Sequence, residues 1–290
     1  MLNSIHYYND YFFPVLPGEK RTQWNTFITI SMVICVLIVF PLFFYGGIKA
    51  RNNNKVKNLI PFITGAFLIL TEIYKQLLIT YHYDWEYHYY IFPFQLCAIP
   101  MYTSFIIPFI KNKKIQDSLF AFMAQYGMLG GVAVMLYQPS VLTWEDHSLN
   151  AHSIIWHELL IALGIFSAAY LNYGKTNYQE MTKKYLSGTA VFISVVALAE
   201  VLNLLIVLNH GYNDLTAGGN LFYISMFMYN LDIPIFKQIL PRFGWYVGFI
   251  LYTFTLSLAG FIFANVYYSI TKAKNKYQLK RVSLNSDNNR

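Results

Sequence analysis

Apolar residues fall along this chain in runs of about twenty, separated by shorter polar stretches. A helix rising 1.5 Å per residue needs about that many to cross roughly 30 Å of hydrocarbon. The runs predict spans at Trp24–Ile48, Leu59–Tyr81, Tyr89–Ile110, Ser118–Gln138, Ala151–Tyr173, Tyr185–Leu208 and Phe243–Ile270. The expected fold is therefore all-α: a polytopic membrane helix bundle of about seven transmembrane helices.

Three units follow. Residues 1-23, rich in Tyr and Phe, form an interfacial N-terminal segment; residues 24-271 form the seven-helix membrane domain; residues 272-290 read as a basic, disordered cytoplasmic tail. Inside the membrane domain, residues 209-241 break the pattern. They begin polar (Asn209, His210, Asn213, Asp214) and turn apolar from Leu221 to Tyr229, too short a run to span. An outer re-entrant or interfacial segment is expected there, since irregular backbone at membrane depth must be buried in protein or line a wet cavity.

Composition agrees with this class: 56% of residues are hydrophobic and only 12% charged, and many of the abundant aromatics stand at span ends, where rings favour the headgroup level. Charge changes the picture more. Of 21 basic residues, 16 lie in the first, third and fifth connections or the tail, while the second and fourth connections carry Asp84, Glu86, Glu145 and Asp146. The positive-inside rule then places the N-terminus outside and the C-terminus inside a cell membrane. Topology accounts for the net charge of +7, so it implies no nucleic-acid partner. The N-terminal segment lacks the basic and apolar regions of a cleaved signal peptide. Cys35 and Cys97, the only cysteines, both fall within predicted spans, which argues against a disulfide framework or a CxxC site.

Ionisable groups are expensive in hydrocarbon and mark functional interiors. Glu72, Cys97, His157 and Glu200 lie about 9–13 Å inside the outer ends of their spans, in the outer half of the membrane. Lys75 shares a helix face with Glu72, and Asn203 with Glu200. Gln95 is two residues from Cys97, which Pro93 and Pro100 bracket; prolines loosen a helix and free carbonyls around the thiol. Cys35, without polar company in the sequence, reads as apolar filler. Glu158 stands about 100° from His157 and cannot serve the same centre from a regular helix. His152 and His157 are about 140° apart around their helix, a poor metal pair, so neither metal nor cofactor is expected.

A membrane thiol is inert until a base or cation stabilises its thiolate, and a neighbouring imidazole can take the proton. Cys97 and His157 are accordingly the candidate catalytic pair, for acyl transfer through a thioester. Glu72, Lys75, His152, Glu200 and Asn203 would support the site, with Gln95 and Asn220 or backbone N–H groups steadying an oxyanion.

The run Phe92-Pro-Phe-Gln-Leu-Cys97 resembles the "LPLHLC" segment of the YwaF-like integral membrane protein family. His152-Ser-Ile-Ile-Trp-His157 resembles the stretch ending in a histidine in that family's fifth span; Gly218-Gly-Asn-Leu-Phe-Tyr-Ile224 is similar to its "GxNYMYL" segment, and Pro241-Arg-Phe-Gly-Trp-Tyr246 to its "GPWPWY". Gln95 stands where many relatives have His. An animal relative is an ether-phospholipid acyltransferase that uses a cysteine and a histidine; the resemblance puts those roles on Cys97 and His157. The first expectation is thus a membrane acyltransferase or transacylase, with membrane lipids as substrate and a lysolipid or lipoprotein amine as acceptor. The alternative is a transporter or binding component for a small hydrophobic or amphipathic ligand, with membrane lipid as ligand rather than substrate.

Overall fold

The computed structural model describes residues 20–87, 89–136, 147–171, 177–210, 221–225 and 236–287, and their regular structure is entirely helical. Helices α1 (Lys20–Ile34) and α2 (Phe40–Ala50) form one rod through a π turn at Cys35–Val39. α3 spans Asn54–His82, and α4 spans Ile99–Ile106 with a 3-10 extension at Ile107–Phe109. α5 (Lys113–Phe122) and α6 (Met128–Leu136) are again joined by a π turn, Met123–Gly127. α7 is His147–Leu171, α8 is Tyr178–His210, and α9 is Phe236–Asp287, broken at Gly244 (φ 77°, ψ 172°). That backbone is open to glycine and strained for other residues. Six stretches are long and apolar enough to cross a bilayer: Phe27–Ala50, Asn54–His82, Lys113–Leu136, Ser148–Leu171, Tyr178–Asn209 and Arg242–Ile270.

The third expected span is where the structure departs from the sequence pattern. Tyr89–Ile110 is not one helix but a 3-10 turn at Tyr89–Ile91, bends through Phe92–Gln95, a turn at Leu96–Ala98, and the short apolar helix Ile99–Phe109. Pro100 occupies the first turn of α4, where a missing N–H costs nothing. It starts a helix rather than loosening one. At the other end of the chain, the backbone stays helical through Asp287, beyond the point where a disordered tail is expected to begin.

α7 is the axis of the bundle. In its most apolar window 78% of residues are buried, against 11% in Phe27–Ala50. α2, α3, α5 and α6 all pack on it. The approach of α2 is close because Gly47 lies against the Phe166 carbonyl; a side chain there would strike it. Phe120 packs on Phe166 and Tyr170, and Tyr126 stacks on Phe192 at 4.4 Å, tying α5 and its π turn to α7 and α8. Leu37, Leu70, Phe254 and Ile270 are each more than 60% exposed on the outside of the bundle, a surface suited to lipid rather than water.

The basic connections gather at one end. The Arg51 guanidinium donates to the Ala169 carbonyl, and Lys184 Nζ donates to the Leu171 carbonyl at 2.6 Å. Of the expected outer segment, 209–210 end α8, 221–225 are described apart from the side chain at 223, and 236–241 only as the helical start of α9. Leu221, Phe222, Ile224 and Ser225 are buried, in keeping with the rule that irregular backbone needs cover.

Candidate functional site

Glu72 sits on the inward face of α3 and is only 4% exposed. A carboxylate so placed needs partners, and the helix supplies them at i+3 and i+4: Lys75 Nζ is 2.7 Å from Glu72 Oε1, and Gln76 Nε2 donates to the same oxygen at 2.7 Å. Gln76 Nε2 also donates to the Ile91 carbonyl at 2.6 Å, and Tyr87 OH donates to Gln76 Oε1 at 3.0 Å. Burial, with the Glu72 charge second, pushes the Tyr87 phenol up to about 12, so it remains a donor well into alkaline pH. One hydrogen-bonded chain thus runs from the connection after α3 to the buried ion pair.

Beside this chain lies a cavity of about 330 Å³ lined by Ile69, Glu72, Leu77, Pro93, Met101 and Tyr102, among others. Its wall is apolar except for Glu72, Gln76 and Tyr102, whose hydroxyl donates to the Pro93 carbonyl at 3.0 Å. Ile73 and Leu77, each 50% exposed, carry the lining to the outside of the bundle.

Cys97 is partly buried in the turn that precedes α4. Its backbone is held by α7: Trp156 Nε1 donates to the Cys97 carbonyl at 3.1 Å, and the Trp156 ring packs with Leu68, Met101 and Cys97. α6 passes close to both neighbours. A β-carbon on Gly130 would stand 3.7 Å from Cys97 Cα, and one on Gly131 would stand 2.7 Å from the His157 carbonyl oxygen.

His157, 6% exposed, has Nδ1 2.6 Å from the Ser153 carbonyl. A carbonyl only accepts, so Nδ1 carries the proton and Nε2 the lone pair. That Nε2 is buried without a hydrogen-bond partner among the described residues, as are both ring nitrogens of His152, whose ring lies 5.2 Å from that of Trp156. The Lys75 charge is near enough to act on Cys97, His152 and His157, and that of Glu72 on Cys97.

Five of the expected residues, Glu72, Lys75, Cys97, His152 and His157, therefore share one electrostatic neighbourhood. The Cys97 sulfur is not hydrogen-bonded to either imidazole, however, since their unbonded nitrogens have no partner among the described residues. Gln95 stands on the bend two residues before Cys97, its carbonyl accepting from Ala98 N at 2.8 Å. Glu200 and Asn203 do different work. Asn203 Oδ1 accepts from Leu221 N at 2.8 Å, and its Nδ2 donates to the Leu221 carbonyl and to Glu200 Oε2, both at 3.2 Å. This clamp, with Trp245 Nε1 donating to the Ile224 carbonyl at 2.7 Å, fixes the 221–225 segment; its Phe222 ring then meets Phe94 at 6.1 Å. Asn220 lies outside the described residues.

Glu158 turns away from His157, as its position predicts, and meets the first rod, where its carboxyl group lies near Ser31 and Cys35. Cys35 thus has polar company that its sequence neighbours do not reveal. Trp156, Gln76 and Tyr87 are absent from the sequence-based site. Gln76 could have been found from its i+4 spacing to Glu72; Trp156 and Tyr87 act through contacts that only the fold creates. Among the described residues, no group of three or more His, Cys, Asp or Glu could hold a metal ion.

The sequence model of the TMEM164 family matches residues 21–277, most of the chain. No curated protein and no solved structure matches it.

Proposed function

We propose that this multi-pass membrane protein, which belongs to the TMEM164 family, is an acyltransferase or transacylase working through a Cys97 thioester. The observation that carries the reading is His157: a buried imidazole with its tautomer fixed by Ser153 and its Nε2 lone pair unused. Such a group is a poor packing element and a prepared base.

In the first step the Cys97 thiol gives its proton to His157 Nε2, and the thiolate attacks the ester carbonyl of a phospholipid. The tetrahedral intermediate collapses, breaking the ester C–O bond; the lysolipid oxygen leaves with the proton returned from His157. A lysolipid hydroxyl or lipoprotein amine then attacks the thioester, His157 taking its proton and passing it to the departing sulfur. Lys75 places a positive charge where the thiolate develops. The cavity between α3 and α4 suits an acyl chain, because its wall is apolar and reaches the outside of the bundle. Because Cys97 and His157 are not hydrogen-bonded here, the reading requires substrate binding to bring the two together, a tightening familiar from unliganded sites. The resemblance to the YwaF-like family supports the same pair.

The test is a purified protein supplied with phospholipid labelled in its acyl chain. Hydroxylamine-sensitive label is expected on Cys97, absent in Cys97→Ala, and formed about 100-fold more slowly in His157→Gln. Label of undiminished amount in Cys97→Ala would sink the proposal. The buried Glu72–Lys75 pair beside an apolar cavity favours one second reading, a transporter for an amphipathic ligand. That reading predicts normal uptake in Cys97→Ala and loss in Glu72→Gln.

A further inference from the structure

A second cavity, of about 500 Å³, opens at the end of the bundle where the basic connections meet. Its wall includes Arg51, Lys57, Lys111 and Lys113 and, among the described residues, no carboxylate. The two lysines at 111 and 113 are exposed at the mouth, while Lys57 is buried at the floor, 9% exposed. Lys57 Nζ donates to Gln116 Oε1 at 2.8 Å. The Gln116 amide is fixed in that sense, because its Nε2 donates to the Ile107 and Ile110 carbonyls at 3.0 and 2.8 Å. A buried ammonium is therefore partnered by a neutral oxygen, and among the described residues no carboxylate pairs with it. Arg51 repeats the arrangement, directing its Nε to the Ala169 carbonyl. Asp117 Oδ1 accepts from the hydroxyl of the wall residue Tyr170 at 3.0 Å.

Charge held away from water without a counterion is costly, and here the buried Lys57 and the half-buried Arg51 face one cavity. The positive ends of two helices add to the field: Asn54, at the start of α3, and Lys113, at the start of α5, both line the cavity. We propose that this cavity binds a phosphate group, with Lys57 and Arg51 as its inner ligands and Lys111 and Lys113 as its gate. Phospholipid headgroups and free phosphate share this chemistry. The site is separate from the thiol centre, since Lys57 and Glu72 stand fifteen residues apart on α3, about 22 Å along the axis. It does not rest on the acyl-transfer reading.

The experiment follows the unfolding midpoint of the full chain in an uncharged detergent. Inorganic phosphate is titrated against chloride at matched ionic strength, and a short-chain phosphatidylglycerol is titrated in parallel. A saturable rise in the midpoint is expected with at least one probe. A response to phosphate alone identifies a free anion as sufficient; a response to the lipid alone that the lysine variants weaken identifies the headgroup as the source, and a lipid response that they leave unchanged belongs to the thiol centre. The half-saturating concentration should rise about tenfold or more in Lys57→Met, the scale of a lost charge-assisted hydrogen bond, and less in the exposed double variant Lys111→Gln/Lys113→Gln. If Lys57→Met does not fold, the double variant decides. Cys97→Ala should keep the full response, whatever its fate in the labelling experiment. No saturable rise with either probe, or an unchanged half-saturation in the variants, overturns the proposal.

Discussion

Neighbouring glycines on α6 answer to different surroundings, and a single methyl group tells them apart. At Gly130 the added carbon would meet Cys97 Cα at 3.7 Å, an ordinary contact; at Gly131 it would meet the His157 carbonyl oxygen at 2.7 Å, which backbone cannot relieve without shifting α6 from α7. Gly130→Ala should leave the unfolding midpoint within a degree or so, whereas Gly131→Ala should cost about 1–3 kcal/mol and lower it by several degrees. Thermal unfolding in one detergent checks both; equal midpoints would contradict the packing described. At this scale the sequence reveals residue types better than their partners. Glu72 with Lys75 is legible from helical spacing. Cys35 is not: its partner Glu158 arrives from a helix more than a hundred residues later, and no local pattern announces it.

Among the elements, the 221–225 segment depends most on side chains outside itself. Asn203 bonds both the N–H and the carbonyl of Leu221; the carbonyl also accepts from Ile224 N at 3.4 Å, so Asn203→Leu leaves the buried Leu221 N–H unpaired, at about 1–3 kcal/mol. Hydrogen exchange at Leu221–Ser225 should accelerate by about tenfold or more in this variant, while the core of α7 keeps its protection. Uniform acceleration across both would mean that Asn203 acts globally instead. Glu200 and Asn203, placed by depth near the thiol, hold the 221–225 segment through this clamp. Depth fixes height in the membrane but not the azimuth of a helix. The third span shows another limit. Hydropathy over Tyr89–Ile110 is that of a membrane segment, and Pro93 and Pro100 are visible in it as disturbances. Hydropathy measures burial, however, and buried backbone need not be helical when neighbours supply its hydrogen bonds, as Trp156 and Gln76 do here for the carbonyls of Cys97 and Ile91.

For the molecule as a whole, the expected sidedness makes a prediction that the bundle's geometry sharpens. The first and third connections line one cavity, and α7 and α8 meet at the same end through Lys184. Single cysteines at Lys55 and Lys114, in a chain with Cys35 and Cys97 replaced, should therefore react with an impermeant maleimide from the same side, and a cysteine at Glu86 from the other. Applied to intact cells, the reagent is expected to reach only the Glu86 position, since the rule of charges puts the basic end inside; the reverse labelling would invert the topology. That α7 forms the axis is not legible in the chain. A helix apolar on every side presents no preferred face, and its place at the centre follows from small residues such as Gly47 and Gly131 that let neighbours close upon it. This seam has a mechanical consequence. With α6 packed on α7 at the His157 carbonyl, the backbone that carries the imidazole cannot shift without carrying the axis of the molecule along. Backbone movement that brings sulfur and ring together therefore falls to the other bank, the unwound stretch that carries Cys97 and that α7 holds through the indole bond from Trp156.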